Sequence, residues 1–349
     1  MEIIESKEYL DSLNNVIKYI DLSQLENKKF LITGATGMIG SCIVDLLLLL
    51  NKMGIKVKII AASRNKDNLF KRFGYFNSKS FFSPIELNIN NSLQINEQVD
   101  FIIHAASNAD PANFAQYPVE TLLSNIIGTR NLLDYGIKNK MKRFLFVSSG
   151  EFYGQPDEHL SDFIESYCGK INHSDSRACY PIGKRGAEVL CQSYISEYNI
   201  DAVIVRPCHI FGPTMLKTDS RALSEFIQKS IKKEDIILKS AGNMERSHCY
   251  VVDCVGAILT VLLKGACGEA YNISDEKYQM TIRAFAERIR HITNGSIIFS
   301  NPTDIEEKGY SKISRAVLDN KKLLGLGWTP LKNDGIKETI EILSECMED

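Results

Sequence analysis

Leu31-Ile32-Thr33-Gly34-Ala35-Thr36-Gly37-Met38-Ile39-Gly40 is the stretch that decides the fold of this 349-residue chain. The run Lys29–Thr33 predicts a short buried strand, and Ile39–Leu50 predicts a helix. The three glycines let the backbone turn tightly and let a phosphate approach the helix N-terminus, where unpaired N–H groups favour an anion. Their Gly-x-x-Gly-x-x-Gly spacing differs from the usual dinucleotide fingerprint, so a glycine-rich turn without a ligand is the alternative reading.

The composition is that of an ordinary soluble protein, with 44% hydrophobic and 24% charged residues. A net charge of -2 argues against a nucleic-acid partner. Nine cysteines without a Cys-x-x-Cys pair, and a start that lacks a signal peptide, predict free thiols and a cytoplasmic protein. The most apolar run, Leu46–Leu50, is too short to span a bilayer, so we expect no membrane association.

Apolar runs alternate with helical stretches over the first two-thirds of the chain. Val119–Lys138 and Gly183–Tyr198 predict helices between the strands. This alternation indicates a parallel sheet covered on both faces. We therefore predict an α/β fold, a Rossmann-type doubly wound parallel sheet, with the glycine turn where such sheets bind a dinucleotide. The predicted strands after the first are Val57–Ala62, Pro84–Leu87, Phe101–Ala106, Phe144–Ser148 and Ala202–Val205.

The rhythm divides the chain into three parts. Residues 1–28 form a helical N-terminal lead, and residues 29–207 form the NAD(P)-binding Rossmann domain, to which parts of 240–270 return. Residues 208–349 form mainly a smaller mixed α/β substrate lobe and a C-terminal helix. The predicted elements of this lobe are helices at Arg221–Lys232, Val252–Leu263 and Thr281–Thr293, short strands at Ala270–Ile273 and Ser296–Phe299, and a helix after Trp328-Thr329-Pro330.

Tyr180 and Lys184 follow the fifth predicted strand, which ends in Ser148-Ser149. Residues four apart lie on one face of a helix. The Lys184 ammonium favours a tyrosinate, so we expect a lowered Tyr180 pKa and a base that works near neutrality. Ser149 could hydrogen-bond the same substrate oxygen. Pro181 either keeps Tyr180 out of the helix or marks the first helical turn.

Further landmarks stand in order along the chain. They are His104-Ala105-Ala106-Ser107, Asn125-Ile126-Ile127-Gly128-Thr129, Arg206-Pro207, Phe211-Gly212-Pro213, Tyr250-Val251-Val252-Asp253 and Leu326-Gly327-Trp328-Thr329-Pro330. Together with the glycine turn and with Ser149, Tyr180 and Lys184, they resemble the extended short-chain dehydrogenase/reductases, the nucleotide-sugar epimerases and dehydratases. The resemblance runs from Lys29 to about Gly335.

This resemblance implies an enzyme that oxidises carbon 4 of a sugar on a nucleoside diphosphate, with NAD as cofactor. The expected substrate is UDP-linked. Tyr180 would take the 4-hydroxyl proton, Lys184 would hold the cofactor ribose, and Ser149 would orient the oxygen. The product is then an epimer, a 4,6-dehydrated sugar or, after loss of carbon dioxide, a pentose. A homodimer is implied, paired through the helices Val119–Lys138 and Gly183–Tyr198. The implied cofactor-binding residues are Gly34, Thr36, Gly37, Met38, Ile39, Ser63, Arg64, Asn88, Ile89, Ala105, Ala106, Ser107, Asn125, Tyr180, Lys184 and Pro207.

Finer features look most like UDP-glucuronate decarboxylases. These are Arg177-Ala178-Cys179-Tyr180, Gly183-Lys184-Arg185 and Asp219-Ser220-Arg221. Glu151 occupies the place of an active-site Glu of that group, and we count it as catalytic. The sequence Ser149-Gly150-Glu151 lacks the middle acid of a dehydratase, which counts against dehydration. The implied substrate-binding residues are Asn108, His209, Arg221, Arg246 and Arg315.

Several departures keep alternatives open. Pro181-Ile182 replaces an acidic pair, and His209 replaces a substrate-contacting Asn, so a general epimerase or another nucleotide sugar remains possible. Ala61-Ala62-Ser63-Arg64 lacks the acid that binds the NAD ribose. Ser63 and Arg64 could instead hold the 2′-phosphate of NADP, as in an NADPH-dependent keto-sugar reductase. A non-catalytic cofactor-binding protein is the remaining alternative, against which the intact Ser149, Tyr180 and Lys184 argue.

Two substitutions and a set of histidines complete the inventory. Asn88-Ile89 stands where the family usually has an Asp near the adenine. The histidines outside the landmarks show no metal-ligand spacing, so we expect no metal. These histidines are His159, His173, His248 and His291.

Overall fold

The computed structural model of the protein describes residues 2–158, 160, 162–303 and 313–346, without the side chains of 112–114. Its main element is a seven-stranded sheet in the order β10-β6-β5-β4-β1-β2-β3, in which every neighbouring pair is parallel. The strands are β1 (Lys29–Thr33), β2 (Lys58–Ser63), β3 (Phe82–Glu86), β4 (Phe101–His104), β5 (Arg143–Val147), β6 (Ala202–Pro207) and β10 (Ala270–Ile273).

Helices cover both faces of this sheet because successive strand residues point to opposite sides. Phe30 and Ile32 belong to the core under α2 and α8, whereas Leu31 belongs to the core under α5 and α6. This confirms the predicted doubly wound α/β fold. The helices of this region are α2 (Met38–Lys52), α3 (Lys66–Phe73), α4 (Pro111–Gln116), α5 (Pro118–Lys138), α6 (Cys179–Tyr198) and α8 (Val251–Lys264).

The strand order reverses between β1 and β4, because β2 and β3 lie on one side of β1 and the later strands lie on the other. A doubly wound sheet leaves a crevice at such a point, outside the carboxyl ends of its strands. The glycine turn after β1 lies at this crevice. The sequence therefore places its most distinctive motif at the position where the topology opens the sheet.

One predicted strand lies in a different place from the one expected. The sequence pattern predicts Ala270–Ile273 as a strand of the smaller lobe. In the structure it pairs with β6 at the edge of the main sheet. The preceding helix α8 is buried along most of its length and carries the chain back across the sheet. The periodicity of a strand does not indicate which strand it pairs with. The predicted position of Ala270–Ile273 in the smaller lobe is therefore wrong. The division of the chain at residues 28 and 207 stays a prediction.

The smaller lobe is mixed, as predicted. Strand β9 pairs in parallel with β7 and β13 and antiparallel with β11, and β8 pairs with β12. Its elements are β7 (His209–Phe211), α7 (Ala222–Ile231), β8 (Ile236–Leu238), β9 (Glu245–Tyr250), β11 (Asp275–Thr281), α9 (Ile282–Thr293), β12 (Ile297–Phe299), β13 (Arg315–Ala316), α10 (Lys321–Leu324) and α11 (Gly335–Glu345).

The N-terminal lead contains α1 (Lys7–Ile17), which packs on the body of the protein. Val16 of α1 packs closely against Gly256 of α8. A Cβ added to Gly256 would lie 2.7 Å from Val16 Cγ1. The Tyr9 hydroxyl donates a 2.9 Å hydrogen bond to Asp45 Oδ2 of α2. Asp45 also pairs with Arg72, and its Oδ1 has no partner among the described residues. The lead is thus fastened to α2 through a buried carboxylate.

None of the helices in the described part of the chain is long and apolar enough to cross a membrane. No disulfide joins the cysteines that the structure describes.

We predict that Tyr9→Phe lowers the free energy of unfolding by about 1–3 kcal/mol, because it removes a hydrogen bond to a fully buried carboxylate. Urea unfolding measures the change. Tyr19→Phe is the matched control, since Tyr19 lies in the same lead and is 51% exposed. Equal stabilities of the two variants would contradict the assigned role of Tyr9.

Candidate active site

The glycine turn is held in place by close backbone contacts. Gly34 has φ +71°, and a Cβ on it would lie 2.7 Å from the Ala105 carbonyl oxygen after β4. A Cβ on Gly40 would lie 2.2 Å from the Gly34 carbonyl oxygen, so α2 packs directly on the turn. Only glycine allows both approaches. The turn therefore sits against the end of β4, at the crevice of the sheet.

The N-terminus of α2 fits a phosphate group. Gly37 is the N-cap residue and offers no side chain to cap the first turn. The first backbone N–H groups of α2, at Met38 and Ile39, therefore lack a capping side-chain oxygen and can donate to an anion. Thr214 of the smaller lobe donates a 2.8 Å hydrogen bond to the Met38 carbonyl oxygen, which ties that lobe to the turn. These residues fit the diphosphate of a dinucleotide.

The end of β2 carries the residues predicted to choose between NAD and NADP. The hydroxyls of Ser63 and Thr36 lie 3.1 Å apart, within hydrogen-bond distance. Arg64 donates to Glu120 Oε1 at 3.1 Å and to Asn108 Oδ1 at 3.2 Å, and its side chain is 64% exposed. Asn108, predicted to touch the substrate, is thus engaged by Arg64. The Arg64 guanidinium is bound to protein groups but remains accessible.

A second set of predicted cofactor residues joins β4 to the helices α5 and α6. Ser107 donates to Asn125 Oδ1 at 3.1 Å, and Asn125 donates to the Thr121 carbonyl oxygen at 2.8 Å. A Cβ on Gly183 of α6 would lie 3.2 Å from Asn125 Cβ, so α6 approaches α5 closely at this point. Ala106 is half-buried beside Ser107. The contacts bring α6 to the same edge of the sheet as the glycine turn.

The loop after β3 carries the two residues that depart from the family at the adenine end. Ile89 is buried against Gly128 of α5, and its carbonyl oxygen accepts a 2.8 Å hydrogen bond from Asn131. Asn88 is exposed, and its side chain caps the backbone of Asn90 at 3.1 Å. Both residues lie on the α5 side of the sheet, so Asn88 is the one whose side chain remains accessible.

Helix α6 begins earlier than predicted, at Cys179, so Tyr180 and Pro181 lie in its first turn. A proline in the first turn costs no hydrogen bond, which decides between the two readings of Pro181. Lys184 donates a 2.8 Å hydrogen bond to the Val147 carbonyl oxygen at the end of β5. Its ammonium lies 5.7 Å from the centre of the Tyr180 ring. The predicted pair is therefore brought together.

The protonation of this pair differs from the expected one. Burial raises the pKa of Tyr180 to about 12, although hydrogen bonding with Ser149 lowers it. Burial lowers the pKa of Lys184 to about 7. The expectation that Lys184 brings the Tyr180 pKa near neutrality is wrong for this structure. Desolvation is the largest cause of both shifts.

Glu151 lies in the short helical turn Gly150–Tyr153 after β5. Ser149 begins this turn and accepts a 3.2 Å hydrogen bond from the Glu151 backbone N–H. Both carboxylate oxygens of Glu151 accept hydrogen bonds from Arg177, at 2.9 and 3.0 Å. The sequence indicates Arg177 only as part of the motif Arg177-Ala178-Cys179-Tyr180 and does not predict its contact with Glu151. Its position three residues before Tyr180 was the available signal.

The predicted substrate residues fall into two groups. Arg221, at the start of α7, forms an ion pair with Asp219. It lies near enough to Tyr180 for its positive charge to lower the Tyr180 pKa. Arg246 of β9 is 3% exposed. Burial lowers its pKa, the charge of Glu151 raises it, and the charge of Arg177 lowers it. Desolvation lowers the pKa of His209 to about 3, and the charges of Arg246 and Arg221 contribute to this shift. Arg221 thus lies near Tyr180, Arg246 lies near Glu151, and His209 lies near both arginines.

Arg315 is held apart from that group by acidic partners. It donates to Asp162 at 2.7 Å and to Glu245 at 2.9 Å. Pro207, predicted to contact the cofactor, ends β6, where its carbonyl oxygen lies close to Gly150. No group of three or more His, Cys, Asp or Glu side chains in the described residues could hold a metal ion. His159 lies outside the described residues.

Comparisons with known proteins identify the family and relatives of this chain. Residues 30–274 match the family described as the NAD dependent epimerase/dehydratase family. UDP-glucuronic acid decarboxylase 1 of Xenopus tropicalis is 32% identical over 334 residues, which cover 94% of this chain and 75% of that protein. UDP-glucuronic acid decarboxylase 5 of Arabidopsis thaliana is 33% identical over 307 residues, which cover 87% and 85%.

A solved structure shares the fold. The UDP-glucuronic acid 4-epimerase of Bacillus cereus, in complex with UDP-glucuronic acid and NAD, superimposes with a TM-score of 0.77 at 20% identity. The match covers 91% of this chain and 99% of that chain. Because the identity is low, this likeness supports the fold alone.

The predicted family and its NAD-dependent enzyme class are confirmed by these matches. The roles of the individual residues stay predictions. The chain belongs to the NAD-dependent epimerase/dehydratase family.

Proposed function

We propose that this enzyme decarboxylates a UDP-linked hexuronate, with UDP-glucuronate as the first candidate, and releases a UDP-linked pentose. The observation that carries the proposal is the state of Arg246. Its guanidinium is almost fully buried, donates to the carbonyl oxygens of Glu245 and Ile313, and forms no ion pair with a carboxylate among the described residues.

A buried cation without an anionic partner is costly, and a bound anion would offset that cost. Burial lowers the pKa of Arg246, which reflects this desolvation. A guanidinium fork matches both a carboxylate and a phosphate, and both groups are present on a UDP-hexuronate. Relatives that are about a third identical are UDP-glucuronic acid decarboxylases, which supports the carboxylated sugar.

The side chains at the site support a sequence of proton movements. Tyr180 would accept the proton of the 4-hydroxyl as a tyrosinate, a form that Arg221, Arg177 and the positive charge of oxidised NAD would favour, with Ser149 hydrogen-bonded to the same oxygen. NAD held at the glycine turn would supply reversible hydride transfer at carbon 4. The resulting 4-keto sugar is a β-keto acid, so its carbon 5–carbon 6 bond breaks and the electron pair passes into the carbon 4 carbonyl. Carbon 5 then takes up a proton from water, and Tyr180 gives back to oxygen 4 the proton that it accepted.

NAD is the cofactor by which the family is described, and NADP is the alternative that Ser63 and Arg64 raise. The reaction is redox-neutral, so the cofactor is regenerated in place and needs no reducing pool. Ser63 and Arg64 are near the expected ribose position, and Arg64 is held by Glu120 and Asn108. We also propose a cytoplasmic location, which the cysteines without disulfides support.

We further propose a homodimer paired through the outer faces of α5 and α6. These two helices pack on each other within the chain, where Gly186 lies against Ile126. Their outer faces expose Val119 at 69%, Leu123 at 42% and Val189 at 62%. Exposed apolar side chains clustered on adjacent helices favour association with a second copy.

The substrate is tested with a panel of UDP-, dTDP-, CDP- and GDP-sugars, with the products identified by NMR. We expect UDP-glucuronate to yield carbon dioxide and a UDP-pentose without net consumption of NAD. A 4-epimer of UDP-glucuronate, or epimerised UDP-hexoses without carbon dioxide, would replace the decarboxylase by an epimerase. Net oxidation of added NADPH would indicate a reductase.

We predict that Tyr180→Phe lowers kcat about 10²–10⁴-fold, because it removes the proposed proton acceptor. NAD binding should change little, which fluorescence titration measures alongside turnover. Tyr198→Phe is the matched control at the far end of the same helix, where Tyr198 is 51% exposed. Full turnover by Tyr180→Phe would rule out the proposed base.

The dimer is tested by light scattering. The chain has a mass of 39.3 kDa, and we expect about twice that value in solution. Val189→Asp places a charge on the proposed contact and should shift the mass toward that of one chain. Tyr75→Asp, at a residue that is 82% exposed on the turn after α3, is the control. A wild type with the mass of one chain would refute the dimer.

A further inference from the structure

The contact between Arg177 and Glu151 links two segments that meet at the active site. Arg177 lies in the short turn Ser176–Ala178 that leads into α6, and the Asp175 side chain fixes this turn by accepting a 2.9 Å hydrogen bond from the Arg177 backbone N–H. Glu151 lies in the turn that follows β5. Neither residue is close to the other in sequence, so the contact depends on the fold.

The geometry of this contact is that of a fork. The two terminal nitrogens of Arg177 donate to the two oxygens of Glu151, at 2.9 and 3.0 Å. The side chains are 17% and 23% exposed, respectively. A bidentate arginine–carboxylate pair of this kind fixes orientation as well as distance. Glu151 is therefore held with one defined set of lone pairs left for other partners.

Both members of the pair act on Tyr180. The negative charge of Glu151 disfavours the tyrosinate, and the positive charge of Arg177 favours it. Loss of Arg177 alone would leave the Glu151 charge less compensated beside Tyr180. Other charged or titratable groups face this cluster from the neighbouring elements: Cys179 and Lys184 on α6, Asp175 before it, His209 on β7, Arg221 at α7 and Arg246 on β9.

We propose that Arg177 is a positioning residue of the reaction, which holds the Glu151 carboxylate in one orientation beside Ser149 and Tyr180. In this role Glu151 faces the sugar as an acceptor of hydrogen bonds and not as a proton-donating acid. The inference rests on the proposed function, because it takes Glu151 as a group of the active site. Arg177 acts through Glu151 and needs no contact with the substrate.

The test is a double-mutant cycle on the full-length enzyme with NAD. The variants are Arg177→Gln, Arg177→Lys, Glu151→Gln and the double variant Arg177→Gln/Glu151→Gln. The probe is UDP-glucuronate, or the member of the nucleotide-sugar panel that the wild type turns over. Initial rates are measured from about pH 6 to 10, and thermal melting reports whether each variant is folded.

We expect Arg177→Gln to lower kcat by roughly tenfold to a hundredfold, with a smaller change in KM, since a misplaced group slows the reacting complex. The acid limb of the kcat/KM profile should move to higher pH, because a less favoured tyrosinate needs more alkaline conditions to form. Arg177→Lys keeps the charge and should return this limb toward the wild-type position. The double variant should be no slower than Glu151→Gln alone.

Arg143→Gln is the matched control. Arg143 pairs with Asp201 at 2.7 Å and its side chain is also 17% exposed, but it lies at the start of β5, at the opposite end of that strand. Its loss should affect stability and leave the pH profile in place.

Two results from a slowed Arg177→Gln variant would overturn the proposal for Arg177. One is an equal fold-loss of kcat from Arg177→Gln in the wild-type and Glu151→Gln backgrounds. The other is a rise in KM with an unmoved pH profile, which would indicate direct substrate binding. A wild type that turns over no nucleotide sugar overturns the proposed function, and the role of Arg177 with it, whereas an active wild type with an equally active Arg177→Gln removes the role of Arg177 alone.

Discussion

The close approach of the glycine turn to the end of β4 is the constraint on which the rest of the site depends. Gly34 lies against the Ala105 backbone, and Gly40 lies against Gly34, so β1, β4 and α2 converge without intervening side chains. A side chain at either position would push α2 away from the sheet. Another close approach occurs where Gly183 meets the Asn125 side chain, which brings α6 to this edge. These close approaches at glycine fix the glycine turn and the helix that carries Tyr180 against the same edge of the sheet.

A buried charge network supports the other side of the site. Glu188 accepts hydrogen bonds from Ser148 at 2.5 Å and from Arg206 at 2.7 and 3.0 Å, and Arg206 also donates to Tyr153. These side chains surround the segment that carries Ser149 and Glu151. Buried ion pairs contribute little net stability because their desolvation is costly. Their effect here is geometric, since they connect α6, β6 and the turn after β5 and leave that turn little freedom.

Local pattern and long-range packing divide what could be predicted from the sequence. The strand Lys29–Thr33 has its predicted bounds, and the helix predicted at Ile39–Leu50 extends only a few residues further, because buried runs and glycine turns are local signals. The sheet position of Ala270–Ile273 depends on pairing with a strand far away in sequence, which periodicity does not encode. Likewise, Tyr180 and Lys184 could be paired from their spacing, but their pKa values depend on burial by the whole fold. The carboxylate partners of Arg64, Arg177 and Arg315 could not be predicted from the sequence either, because they come from segments far away along the chain.

The distribution of ion pairs separates the arginines of the site by role. Arg177 and Arg221 each have a carboxylate partner, whereas Arg246 donates to carbonyl oxygens in the described structure. A paired arginine is largely neutralised and can orient its partner, while a buried arginine bonded only to neutral groups keeps its attraction for an incoming anion. The site thus combines one cation suited to binding with others suited to holding geometry. A neutral hexose would leave Arg246 to the diphosphate alone, whereas a hexuronate offers it a second anion, and this difference favours the hexuronate as the proposed substrate.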